Sequence, residues 1–172
     1  IRKTLEDAEA GVKAASSALT LAENRLQAME ADMRDLDTLT DLTLELWPDH
    51  SRQEMKTELQ RQLSVERAVY FLAVEEENMA GFAQCQLRHD YVKGTESSPV
   101  GYLEGIYIRE DWRKKGLARQ LLETCEQWAK AQGCSEFASD CELSNLQSLE
   151  FHLKAGFTEA NRIICFTKKL VT

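Results

Sequence analysis

The stretch Arg113-Lys114-Lys115-Gly116-Leu117-Ala118 sets three cationic side chains and a glycine at the start of an apolar-periodic segment. If a helix begins there, its first backbone N–H groups lack intrahelical acceptors and carry the positive end of the dipole, so the turn suits an anion. Glycine lets the chain approach a phosphate without a Cβ in the way, and the flanking cations add complementary charge, so a pyrophosphate fits. The pattern is neither the kinase-type phosphate loop, which needs Gly-Lys-Ser/Thr, nor the spaced glycines of a dinucleotide fold. Taken alone, the hexapeptide also fits a solvated basic helix start.

Glu104 and Asp140 are the carboxylates placed to serve a reaction at that turn. Glu104 lies in the strand predicted just before it. Asp140 ends the next predicted parallel strand, so both open on the sheet edge where α/β ligands collect. A carboxylate at such an edge, directly or through water, can orient a cationic group and accept a proton from it. Singly, each is also an ordinary surface acid. The 172-residue chain has a net charge of −8, and from Asp37 onward 22 acidic residues face 16 basic ones, a balance that attracts polycations. It works against a nucleic-acid partner, which needs cationic surface.

Five cysteines, Cys85, Cys125, Cys134, Cys141 and Cys165, form no C-x-x-C pair and no zinc-ligand spacing. No metal is expected, and the thiols read as the reduced ones of a cytoplasmic protein. None has a histidine beside it in sequence, which favours direct transfer over a covalent acyl-enzyme. No apolar run approaches the ~18 residues of a membrane span, and no secretory leader is expected.

The elements that must position these groups follow from periodicity. Leu5, Ala8, Val12, Ala15, Leu19, Ala22, Leu26, Met29, Met33 and Leu36 recur in steps of three and four, which predicts one long helix, either a coiled-coil seam or an amphipathic helix lying on its own body. Residues 37–47 continue the helical period until Trp47-Pro48 stops it, and Ser51 to Leu63 is a second short helix. Ala68–Val74 and Ala80–Arg88 read as a hairpin and Tyr102–Ile108 as a third strand. A helix from Leu117, a strand Ser135–Ser139, a helix Ser144–Lys154 stopped by Gly156, and a last strand Arg162–Lys168 complete the chain. The order implies an α+β fold with a mixed, mostly antiparallel central sheet flanked by helices. Residues 1–36 would form a helical segment and residues 37–172 the catalytic domain.

The run from Gly105 to Leu122 resembles the acetyl-CoA-binding strand, loop and helix of the GNAT N-acetyltransferases, whose loop reads Gln/Arg-x-x-Gly-x-Gly/Ala; Arg113, Gly116 and Ala118 satisfy it. Ser144-Asn145 and Lys154-Ala155-Gly156-Phe157 resemble later signatures of that superfamily. Within it, Leu46-Trp47-Pro48-Asp49-His50, Arg88-His89-Asp90-Tyr91-Val92-Lys93-Gly94, Ser97 to Val100, Leu103 to Ile106 and Glu136 to Asp140 are similar to the aminoglycoside 6'-N-acetyltransferases.

The resemblance implies transfer of acetyl from acetyl-CoA to an aminoglycoside amine, antibiotic resistance, and a homodimer. It assigns the main chain of Ile106, Tyr107 and Ile108 and the side chain of Asn145 to pantetheine, and the turn and helix start Arg113, Lys114, Lys115, Gly116, Leu117, Ala118 and Arg119 to the pyrophosphate. Trp47, Asp49 and Tyr91 would join Glu104 and Asp140 around the sugar rings. Many members carry a tyrosine four residues before the Gly-Phe glycine, to protonate the leaving thiolate. This chain has His152 there, as the acid or as a ring holding the cofactor tail, with water as the other proton source.

Members also open with a short strand before the first helix. Here either Ile1–Thr4 supplies it or it is missing, which would expose a sheet edge. Two rivals follow: acetylation of another polyamine or a protein amine, and a catalytically impaired fold that the N-terminal segment assembles.

Overall fold

The computed structural model describes residues 27–64, 68–75 and 78–170. A five-stranded sheet runs in the order β1 (Gln27–Glu30), β2 (Ala68–Glu75), β3 (Asn78–Arg88), β4 (Val100–Ile108), β5 (Phe137–Ser139). Every pairing is antiparallel except β4 with β5. This is the expected α+β architecture.

Helices cover both faces. Helices α1 (Leu36–Leu46) and α2 (Arg52–Leu63) lie on one, where Leu39, Leu42, Leu59, Tyr70, Leu72 and Phe82 form a core. Helix α3 (Leu117–Ala131) lies on the other, with Leu121, Leu122 and Cys125 against Phe71, Cys85 and Leu103. The period-2 alternation of β2 sends Tyr70 and Leu72 to one core and Val69 and Phe71 to the other, so both faces of the sheet are apolar. A capping box between Ser51 and Glu54 starts α2 where Pro48 has ended α1. Helix α4 (Leu146–Ala155) ends at Gly156, whose φ of 101° is the left-handed geometry of a helix stop.

Two expectations change. The long N-terminal helix was to run through Leu36, but Gln27–Glu30 is a strand, with Met29 opposite Leu72 and Ala28 opposite Ala73. Asp32 and Asp35 explain the switch. Asp32 accepts the backbone N–H of Arg34 at 2.7 Å and Asp35 that of Asp32 at 3.0 Å, which makes a turn in place of helix. A strand therefore does precede the first helix, at Gln27–Glu30, and the alternative that it is missing falls; Ile1–Thr4 lies outside the described residues. The heptad positions before residue 27 lie outside the described residues. The last predicted strand, Arg162–Lys168, is instead an extended arm, residues 157–170, joined to no strand of the sheet. Its alternating Ile164 and Phe166 need a facing surface, and the described body supplies none.

Candidate active site

Strand β4 positions the centre. Gln84 pairs with Gly105 and Cys85 with Leu103, so Glu104 is the extra residue of a β-bulge. On the other side, β5 accompanies β4 only from Gly101 to Leu103. Beyond that, the backbone of Glu104 to Ile108 has no strand beside it on this edge among the described residues. The two strands thus part where Glu104 and Asp140 sit.

Glu104 Oε1 accepts Arg88 Nη2 at 2.7 Å and Nε at 3.0 Å, and the Gln86 amide as well. The Arg88 guanidinium stacks 3.4 Å from the centre of the Tyr102 ring. Burial, then the hydrogen bond to the Asp140 carboxylate, push the Tyr102 phenol up to about 12, so it stays a hydroxyl that donates. At the end of β5, Ser139 Oγ lies 3.0 Å from the Leu103 carbonyl and 2.9 Å from His152 Nε2. Glu104 is thus tied to β3 through Arg88, and His152 to the end of β5 through Ser139, the residue before Asp140.

Trp47 closes the acceptor side. A Cβ on Gly105 would come within 2.8 Å of its ring, so glycine is what admits the indole beside Glu104. Phe82 supports it with ring centroids 5.9 Å apart. Asp49 and Tyr91 stand on exposed loops and make no hydrogen bond or ion pair to the two carboxylates. Glu136 anchors the Tyr91 loop by accepting the backbone N–H groups of Glu96 and Ser97 at 2.9 and 2.6 Å.

The turn before α3 has the geometry the sequence suggests. Lys114 and Gly116 have φ of 63° and 83°. The first bond at the helix start is from Gln120 N–H to the Gly116 carbonyl, so the N–H groups of Leu117, Ala118 and Arg119 have no intrahelical partner. A Cβ on Gly116 would meet nothing within 4 Å, so the space over these donors is open. Arg113 Nε binds the Ile108 carbonyl at 2.9 Å, and Lys115 lies 4.2 Å from the centre of the Trp112 ring. Both cations are thus partly committed to holding the loop. Asn145 caps α4 by accepting the Ser148 N–H at 3.0 Å, which leaves its amide NH₂ for another partner.

The family model described as Acetyltransferase (GNAT) family matches residues 33–157. The chain belongs to the GNAT acetyltransferases. It is similar to the aminoglycoside N(6')-acetyltransferase type 1 of Serratia marcescens, 40% identical over 140 residues that cover 81% of this chain and 96% of that one. The enzyme of the same name from Stenotrophomonas maltophilia is 39% identical over 142 residues, covering 82% and 92%. Among solved structures, aminoglycoside N-acetyltransferase AAC(6')-Iy in complex with CoA superposes with a TM-score of 0.82 at 32% identity, over 85% of this chain and 96% of that one. The same enzyme with the bisubstrate analog CoA-S-monomethyl-acetylneamine gives a TM-score of 0.81 at 32% identity, over 85% and 99%.

As a GNAT domain, the chain has a turn that fits a CoA pyrophosphate: three unpartnered N–H groups at the helix start, an unobstructed glycine and adjacent cations. Pantetheine fits the free edge of β4 by strand-like pairing. Sequence reasoning did not single out Arg88, Gln86, Tyr102 or Ser139. The available signal was the polar alternation Gln84, Gln86, Arg88 along a strand flanked by apolar ones. Among the described residues, no group of three or more His, Cys, Asp or Glu side chains forms a metal site.

Proposed function

We propose that this protein transfers the acetyl group of acetyl-CoA to the 6'-amine of aminoglycosides, by direct attack in a ternary complex, and so confers resistance. The observation that carries the reading is the pair Glu104 and Asp140 flanking the β4–β5 split, on the same edge as the anion-binding turn. Glu104 and Asp140 hold the polycation, with Trp47, Asp49 and Tyr91 along its rings. Asp140, directly or through water, takes one proton from the ammonium group. The amine then attacks the thioester carbonyl, the C–S bond breaks, and the proton that the new amide nitrogen sheds passes through His152 to the leaving thiolate. The turn 113–119, the β4 main chain at Ile106, Tyr107 and Ile108, and Asn145 hold the cosubstrate. A thiol nucleophile finds no support at Cys85, whose S–H donates to Cys125 and lies buried, both of which push its pKa well above the ordinary range.

The protein acts as a homodimer in this reading. In support, Ile163, Ile164, Phe166 and Leu170 on the arm are 75–88% exposed, apolar side chains that a second copy would cover. Cytoplasmic residence follows from the acetyl-CoA supply and suits five free thiols.

Mass spectrometry of the product tests the acceptor. Incubation with acetyl-CoA and kanamycin, spermidine or a lysine peptide is expected to add one acetyl group to kanamycin, on the 6'-amine. Preferential acetylation of spermidine or the peptide would overturn the reading.

A further inference from the structure

Glu104 is the unopposed residue of a bulge, so strand pairing alone does not fix where its carboxylate points. Its neighbours on β3 do. Arg88 and Gln86 both bind Oε1, and among the described residues Oε2 accepts no hydrogen bond. The same guanidinium sits 3.4 Å over the centre of the Tyr102 ring, which fixes the fork from its other side. Arg88 and Glu104 are 33% and 21% exposed, a pair screened less than a surface one.

We propose that Arg88 is a positioning residue. Its fork presents Glu104 Oε2 to the acceptor amine, and its contact over the Tyr102 ring holds the guanidinium in that place. The inference rests on the acceptor reading above and adds a residue that reading does not use. A fixed cation in a site that receives a polycation works against binding, so Arg88 serves placement and not affinity. Placement needs the planar fork: lysine keeps the charge but loses both the two-point bond and the stack.

The test is steady-state CoA release with tobramycin for Arg88→Gln and Arg88→Lys. Both variants are expected to lose about 10- to 100-fold in kcat, the scale of a small misplacement of reacting groups. KM for tobramycin is expected to stay level or fall, and KM for acetyl-CoA to stay level. The melting temperature should stay within about 4 °C of the parent, the shift that ~1 kcal/mol gives a domain of this size. An unchanged kcat, a raised tobramycin KM at unchanged kcat, or full recovery in Arg88→Lys would each overturn the proposal. A crystal structure of Arg88→Gln gives a readout free of any acceptor. The Glu104 carboxylate is expected to leave its present position, and Glu104 and Tyr102 both unmoved would refute the role. Failure of the unsubstituted protein to turn over any aminoglycoside would defeat the acceptor reading instead, and the crystallographic result would still decide on Arg88.

Discussion

His152 Nε2 lies 2.9 Å from the Ser139 hydroxyl, which ties the imidazole to the end of β5, one residue from Asp140. The Ser148 carbonyl, 2.7 Å from Nδ1, can only accept, so Nδ1 carries a hydrogen and Nε2 is the nitrogen turned toward the strand ends. The rings of Phe151 and Phe157 hold the imidazole edge-on, with centroids 5.5 and 5.1 Å away. Replacing His152 by Phe keeps a ring and removes the nitrogen that carries the proton to the thiolate. In that variant kcat is expected to fall about 100-fold, as for loss of a general acid, with acetyl-CoA affinity retained. Unchanged kcat with weakened acetyl-CoA binding would assign the ring to the cofactor tail instead.

Gly116 offers a separate test of the anion-binding turn. Its φ of 83° disfavours any side chain, by about 1–2 kcal/mol, yet no protein atom obstructs a Cβ there. Gly116→Ala is therefore expected to fold with a modestly lower melting temperature. Its acetyl-CoA affinity, measured by calorimetry, should fall about tenfold, or ~1.4 kcal/mol. An affinity equal to the parent's would show that the phosphates do not approach this glycine.

Much of this was legible because strong local signals agreed with the tertiary solution. The turn and helix after Arg113 follow from glycine and period, and the hairpin Ala68–Arg88 from two apolar runs around a polar turn. Met29 misleads because it continues a three-and-four spacing, while its strand is too short to show alternation and is fixed by pairing with Leu72. The arm's alternating Ile164 and Phe166 predict a strand, but a strand exists only with a neighbour to bond. Glu104 and Asp140 are visible as types near a strand end. The link from Glu104 to Arg88 depends on a bulge between Gln84 and Cys85, which has no sequence signature here.

Glu45 joins the end of α1 to the end of β4, accepting Arg109 Nη2 at 2.8 Å and the Tyr107 hydroxyl at 3.0 Å. Burial opposes its ionisation, but these bonds outweigh it and hold the carboxyl below the ordinary range. A depressed folded value stabilises above the unfolded pKa, about 4.3, and that stability is lost as pH falls through the folded value. The pair is more than a third exposed, so its contribution is about 0.5 kcal/mol. Urea unfolding should find Glu45→Gln less stable than the parent at pH 7, with the difference closing at pH 3. A constant difference at both pH values would contradict this.

Dimerisation through the arm predicts that Phe166→Asp, at a position 88% exposed in the single chain, leaves the body folded and lowers the mass in solution from dimer to monomer. Analytical ultracentrifugation reads this directly. A parent that sediments as a monomer would contradict the dimer.

The central claim is that Asp140 and Glu104 together serve an aminoglycoside amine. Its most direct test is the rate of CoA release from acetyl-CoA and tobramycin for the parent, Asp140→Asn and Glu104→Gln. The account predicts turnover by the parent that drops about 100-fold or more in Asp140→Asn and substantially in Glu104→Gln, with acetyl-CoA binding unchanged in both. Parent-level turnover in both variants, or acetyl-CoA binding by the parent without any CoA release, would contradict it.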